Sequence, residues 1–138
     1  MSGSRTGAAP LVPVASATAA AVLGVATLAA VDPNRPGHFP GCPFLLISGF
    51  YCPGCGSLRA VHDLAHADLA GALARNPLAV AFVPFLLYAL GLAWARALGR
   101  TDRSLTEIPA PVVWGLLAVV LGYGVLRNLP GWTWLSPA

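Results

Sequence analysis

Three long apolar segments dominate the chain, and a polar stretch rich in glycine, proline and cysteine separates the first from the second. Residues 11–31, 77–95 and 111–126 contain no charged residue. As helices rising about 1.5 Å per residue, the first two would be roughly 28 to 31 Å long, close to the thickness of the bilayer's hydrocarbon core. The pattern predicts an all-α membrane protein with three transmembrane helices.

The N-terminus allows two interpretations. Residues 1–10 are small and mostly polar, which predicts a disordered tail ahead of a single membrane domain over residues 11–138. A cleaved signal peptide is the alternative, because Arg5 precedes the apolar run and Ala29 and Ala30 lie near its end. The run is longer than the roughly 7 to 15 residues typical of the apolar core of a signal peptide. Its length therefore favours a membrane span.

Residues 42–75, between the first two spans, combine a cysteine loop with a predicted helix. Residues 44–51 are apolar but too few to cross a bilayer, so they are expected to re-enter the membrane or lie at its interface. Residues 52–56, Cys-Pro-Gly-Cys-Gly, predict a tight turn. Ser57 is expected to cap an amphipathic helix over residues 58–75.

The predicted amphipathic helix places its titratable side chains on one face, which we expect to lie at the membrane interface or in a polar cavity. Arg59 is expected to pair with Asp63 one turn away and to donate hydrogen bonds to carbonyls of the Pro53-Gly54 turn. The residues assigned to this structural motif are Pro53, Gly54, Gly56, Arg59, Asp63, Asn76 and Pro77. Asn76 and Pro77 suit the cap and first position of the second span.

Composition and charge support a membrane protein and limit its partners. The chain is 57% hydrophobic and 9% charged, with a mean hydropathy of +0.71. Its net charge of +3 is scattered, which argues against nucleic acid. The expected partners are the lipid bilayer and a membrane-protein partner or second copy of the chain. The compact arginine cluster in residues 96–103 predicts a cytoplasmic loop. This places Trp132 and residues 42–75, which we call the cysteine segment, on the extracytoplasmic side.

The chain has three cysteines, Cys42, Cys52 and Cys55, so at most one disulfide can form within it. The Cys52-x-x-Cys55 spacing is that of redox sites, yet no βαβ pattern accompanies it, which favours a structural loop. Thiol–disulfide exchange through Cys52 and Cys55 is the alternative function. Cys42 is expected near the Cys52 turn, because the apolar residues after Pro43 must return to the side of the membrane they left.

A metal site is a second alternative. His62 and His66 are four residues apart on the predicted helix, and with Cys52 and Cys55 they offer a tetrahedral zinc ligand set. The competing interpretation is a solvated helix face on which neither histidine binds metal. No arrangement of catalytic residues is recognisable, so the leading function is a non-enzymatic accessory or interaction component of a membrane.

Three runs resemble the signature of a family of small bacterial membrane proteins known as domain of unknown function 2752. They are C-P-F at 42–44, S-G-F-Y-C-P-G-C-G-S-L-R-A at 48–60 and H-A-D-L-A-G-A-L-A-R-N-P at 66–77. The resemblance implies a multi-pass protein of the bacterial inner membrane with no assigned activity. Family members usually have glycine where this chain has Ala67, so a bend there is not expected and the helix should continue through it.

Overall fold

A computed structural model describes residues 11–35, 37–103 and 108–135, and this part of the chain is helical without strands. The predicted tail, residues 1–10, lies outside the described residues. Six α-helices are followed by a short 3₁₀ turn at Thr133–Leu135. The helices are α1 (Leu11–Ala30), α2 (Pro43–Ser48), α3 (Ser57–Ala65), α4 (Leu69–Arg75), α5 (Pro77–Ala97) and α6 (Ala110–Leu126).

Two of these helices, α1 and α5, are long and apolar enough to cross a membrane. Helix α1 ends one residue before the predicted limit, and α5 continues two residues beyond it. Helix α6 is apolar but has 17 residues, about 26 Å at 1.5 Å per residue. The structure therefore confirms an all-helical protein with two candidate spans, and α6 is a shorter apolar helix.

The apolar side chains of these helices face outward. No residue of α1 or α6 is buried, and α5 buries only Ala97. Leu23 and Leu87 are 67% and 65% exposed. A soluble protein would bury such helices in its core, because apolar surface in contact with water is unfavourable. Their exposure indicates association with a membrane.

Helices α1, α5 and α6 each have one end at the cysteine segment. Helix α1 runs toward this segment, where the carbonyl oxygen of Leu28 accepts a hydrogen bond of 2.6 Å from Nδ1 of His62 in α3. Helix α5 runs away from it, and near its far end Trp94 Nε1 donates to Thr18 Oγ1 at 3.0 Å. Helix α6 runs toward the segment again and ends just before Arg127, which contacts it.

The single amphipathic helix expected over residues 58–75 is not present, because the chain bends between α3 and α4. Ala67 has a φ of 61°, in the left-handed region, which costs an alanine about 1 to 2 kcal/mol. The bend is stabilised by Asp68, whose Oδ1 accepts from the backbone N–H of Gly71 at 2.8 Å. The expectation that the helix continues through Ala67 is therefore wrong: the chain bends there without a glycine, and Asp68 caps the helix that follows.

The start of α3 also differs from the prediction. Ser57 is the first helical residue, and the cap position belongs to Gly56, whose φ of 85° requires glycine. Ser57 Oγ accepts instead from Nδ2 of Asn76 at 3.1 Å. At α5 the prediction is confirmed, since Asn76 Oδ1 accepts from the N–H of Ala79 at 3.0 Å and Pro77 begins the helix.

We predict that Ala67→Gly stabilises the protein by about 1 kcal/mol, because glycine adopts a positive φ without the steric cost that alanine meets there. The matched control is Ala74→Gly, at an exposed position within α4, which should lower stability by about 0.5 to 1 kcal/mol. Thermal unfolding in detergent measures both. Equal destabilisation by the two substitutions would contradict the left-handed bend.

Candidate functional site

The three cysteines converge in space. Cys42 Sγ lies 3.4 Å from Cys52 Sγ, and Cys52 Sγ lies 3.2 Å from Cys55 Sγ. All three sulfurs are within 4.8 Å of one another, and all three cysteines are free thiols. This three-sulfur cluster confirms the expectation that Cys42 returns to the Cys52 turn.

Short, sharply bounded elements bring the sulfurs together. Cys42 precedes Pro43, the first residue of α2, and α2 is terminated by Gly49 with a φ of 74°. The chain then reverses to Cys52, where the N–H of Cys55 donates to the Cys52 carbonyl at 3.0 Å. The apolar segment thus forms one short helix that leaves the cysteine turn, residues 52–56, and comes back to it.

Asn76 connects the cysteine turn to the start of α5. Its side chain is 0% exposed, and its Nδ2 donates to the carbonyl oxygens of Pro53 and Cys55 at 2.9 and 3.1 Å. The same side chain caps α5 through its Oδ1. A single buried amide therefore satisfies polar groups of both elements.

Arg127, just after α6, is the second group that holds the turn. It is 1% exposed, and its Nη1 donates to the carbonyl oxygens of Cys52 and Cys55 at 2.9 and 3.1 Å. The guanidinium carbon also lies 5.7 Å from the ring centre of Tyr51 and 5.0 Å from that of Tyr123. Carbonyl dipoles and two aromatic faces thus stabilise this buried positive charge.

The next residue, Asn128, fixes Tyr51, the residue before the cysteine turn. Its Oδ1 accepts from the N–H of Tyr51 at 2.8 Å, and its Nδ2 donates to the carbonyl oxygens of Tyr51 and Gly124 at 2.8 and 2.7 Å. Gly124 faces Pro53, since an added Cβ would lie 3.3 Å from the Pro53 Cδ. The end of α6 therefore fits closely against the cysteine turn.

Two other arginines make contacts that were expected of Arg59. Arg127 supplies guanidinium hydrogen bonds to the turn carbonyls of Cys52 and Cys55. Asp63 forms an ion pair with Arg75, in which Arg75 Nε lies 3.6 Å from Asp63 Oδ2. The reason is the bend at Ala67, which folds α4 back against α3 and brings Arg75 to Asp63.

The two histidines lie outside the three-sulfur cluster. His62 faces α1, with Nδ1 donating to the Leu28 carbonyl and Nε2 3.8 Å from Asp32 Oδ1. His66 Nδ1 donates to the His62 carbonyl at 2.9 Å. Among the described residues, the group close enough to share one ion contains Cys42 and neither histidine. Helical spacing suggested both histidines, but His62 contacts α1 and His66 is exposed at the end of α3.

The environments of two of the thiols differ strongly. The backbone N–H of Leu45 at the start of α2, helped by the Cys55 thiol, lowers the pKa of Cys42 to about 7. Burial raises the pKa of Cys55 to about 12, and its side chain is 6% exposed. At neutral pH, Cys42 is therefore about half thiolate, and Cys55 is a protonated thiol.

A cavity of about 560 Å³ borders the cluster. It lies between the loop that leads into α2 and the first residues of α3, and its lining includes Cys42, Cys55 and Arg59. Two sulfurs and one guanidinium-bearing residue thus share a space large enough for solvent or a small ligand.

Sequence reasoning missed Arg127 and Asn128 as residues of this site. Both residues follow an apolar run and precede two tryptophans, a pattern typical of a membrane interface and not of a buried site. A topological signal was available: the end of a third alternating span returns to the side that holds the loop between the first two. That signal places the two residues near the cysteine turn but does not specify which carbonyls they bind.

These features define a small helical, membrane-associated protein with a thiol cluster at one end of its helices. Residues 42–90 match the model of the family described as "Protein of unknown function (DUF2752)", which confirms the resemblance drawn from the motifs. The match covers the cysteine segment, Asn76 and most of α5, whereas Arg127 and Asn128 lie beyond it. No curated protein and no solved structure matches the chain.

We predict that Asn76→Asp destabilises the protein by about 3 kcal/mol or more, because it keeps the helix cap but places a buried carboxylate against two carbonyl oxygens. The matched control is Asp68→Asn, which retains the cap oxygen of α4 at an exposed site and should change stability by less than about 0.5 kcal/mol. Thermal unfolding in detergent compares them. Similar small effects of both changes would contradict the role given to the Asn76 amide.

Proposed function

We propose that this is a three-span protein of the bacterial inner membrane and a non-enzymatic accessory or interaction component, whose cysteine segment is a structural element on one face of the bilayer. The observation that carries the proposal is the convergence of Asn76 and Arg127 on the same turn carbonyls. These residues flank two different apolar helices, α5 and α6, so the turn joins the two helix ends.

The directions of the helices support three spans. Helices α1 and α6 end at the cysteine segment and α5 begins there, as expected if each crosses the membrane in turn. Helix α6 is about 4 Å shorter than a typical hydrocarbon core of about 30 Å. Local thinning of the bilayer can compensate for such a mismatch at modest cost. Trp132 and Trp134, stacked at 5.9 Å, suit an interface just beyond it.

A structural role agrees with how the turn is held. Its carbonyls are bound by two side chains that are almost completely buried, Asn76 and Arg127. Removing a partner from such a network leaves buried polar groups unsatisfied, at about 1 to 3 kcal/mol for each group. Arrangements of this kind fix one conformation, which suits a loop that holds helices together or presents a defined surface to another membrane protein.

The arginines of the loop between α5 and α6 support the sidedness of the proposal. Arg96, Arg100 and Arg103 form a compact cluster, and such clusters remain on the cytoplasmic side. The cysteine segment then faces the extracytoplasmic side. The outward apolar surface of the helices meets lipid, and a second copy or a membrane-protein partner can pack on it.

We predict that a cysteine introduced by Trp132→Cys is labelled by an impermeant maleimide added to intact cells, whereas one introduced by Thr101→Cys is labelled only after permeabilisation. The two positions lie beyond opposite ends of α6. Mass spectrometry of each modified peptide separates these labels from those of the native thiols. Labelling of both positions from outside would contradict the third span, and the reverse pattern would overturn the orientation.

Thiol–disulfide exchange is a second candidate function, favoured by the thiolate character of Cys42 and its distance of 3.4 Å to Cys52. The Cys42 thiolate would attack one sulfur of a disulfide-bonded protein, whose other sulfur leaves as a thiolate and takes a proton from water. Cys52, after losing its proton, would then attack the Cys42 sulfur. The Cys42–Cys52 pair becomes oxidised, and the substrate is released as a dithiol, reduced by two electrons.

For this second candidate we predict that Cys52→Ser traps a mixed disulfide on Cys42, detected by non-reducing electrophoresis. The trapped fraction should rise as the pH increases through about 7, because the pKa of Cys42 is lowered to that value and its thiolate is the nucleophile. Cys55→Ser is the control and should trap nothing, since Cys52 remains to resolve the adduct. Absence of any adduct across this pH range would reject exchange.

A further inference from the structure

We infer that Cys42, Cys52 and Cys55 bind one thiophilic metal ion, Zn²⁺ or Cu⁺, that crosslinks the start of α2 to the cysteine turn. The inference rests on the structural role proposed for the cysteine segment, and it explains how that segment is closed. Sulfurs that are only in contact form no covalent or coordinate link between two parts of a chain. A shared ion would connect Cys42 to the turn ten residues later.

The sulfur positions fit a metal centre. Zn–S bonds of about 2.3 Å in tetrahedral geometry place neighbouring sulfurs about 3.8 Å apart. The observed separations are 3.2 and 3.4 Å, and the remaining pair is within 4.8 Å. Side-chain shifts of under about 1 Å would therefore bring all three sulfurs to ligand positions. The three residues already point at one common centre.

The donor set identifies the chemical class of the ion. Three sulfurs with no carboxylate among them suit Zn²⁺ or Cu⁺ and do not suit Mg²⁺ or Ca²⁺, which prefer oxygen. Three thiolates can bind Cu⁺ as a trigonal site. For Zn²⁺, the adjoining cavity, which Cys42 and Cys55 line, supplies space for a fourth ligand from solvent.

Groups around the sulfurs are placed to stabilise bound thiolates. The N–H of Cys52 donates to Cys55 Sγ at 3.3 Å. Hydrogen bonds of this kind orient metal ligands and adjust their basicity. A three-thiolate zinc centre carries a net charge of −1, and Arg127, bound to the carbonyls of Cys52 and Cys55, supplies positive charge beside it.

The test measures zinc and copper in the full-length protein, purified in detergent under reducing conditions and after incubation with each ion alone. We expect about one ion per chain. Cys42→Ser should lower the bound ion by about tenfold or more, because it removes a ligand. Cys42→His should restore binding in the zinc arm, since imidazole is also a zinc ligand. His66→Ala is the matched control and should retain the full amount.

A second measurement on the unmodified protein covers the case in which Cys42→Ser fails to fold. A bound ion should slow the alkylation of all three cysteines together, and a chelator should restore the alkylation rate of the metal-free protein. The inference is wrong if folded Cys42→Ser keeps its full metal content, or if His66→Ala loses it. It is also wrong if the reduced wild-type protein binds a negligible amount of both ions. If the wild-type protein binds neither ion while Asn76→Asp still destabilises it, the metal inference fails and the structural role proposed for the segment stands.

Discussion

The cysteine turn depends on two buried hydrogen-bond donors that come from outside it. A tight turn directs several carbonyl oxygens to one side, and neither a helix nor a strand supplies partners for them. Here the amide of Asn76 and the guanidinium of Arg127 bind those oxygens. Because each donor flanks a different long helix, the hydrogen bonds that satisfy the turn also fix the ends of α5 and α6 relative to the cysteines.

Local signals predicted much of the fold. The uncharged runs predicted α1 and α5 to within one or two residues, and Asn76-Pro77 correctly marked the start of α5. Cys42 was correctly expected beside the Cys52 turn, because a short apolar segment cannot cross the bilayer and must return. These predictions depended on length, charge and capping chemistry, all of which act between residues close in sequence.

The errors arose where distant residues decide the structure. Helical spacing suggested that Arg59 binds both Asp63 and the turn, but Arg75 and Arg127 make those contacts, and Arg127 is more than 70 residues away from the cysteines. Similarly, position 67 is alanine where related sequences usually have glycine, and this suggested a continuous helix. Capping by Asp68 and the packing of α4 on α3 outweigh the cost of one left-handed alanine.

The contact between Pro53 and Gly124 has a consequence for how α6 sits in a bilayer. Glycine at this position lets the proline ring approach the helix backbone closely, and the neighbouring Asn128 links the same end of the helix to Tyr51 through two hydrogen bonds. The helix can therefore neither slide nor rotate at its cysteine end. If α6 crosses the membrane, its shortfall in length must be met at its other end, so the lipid leaflet around Pro109 deforms while the leaflet around the thiols keeps its ordinary thickness.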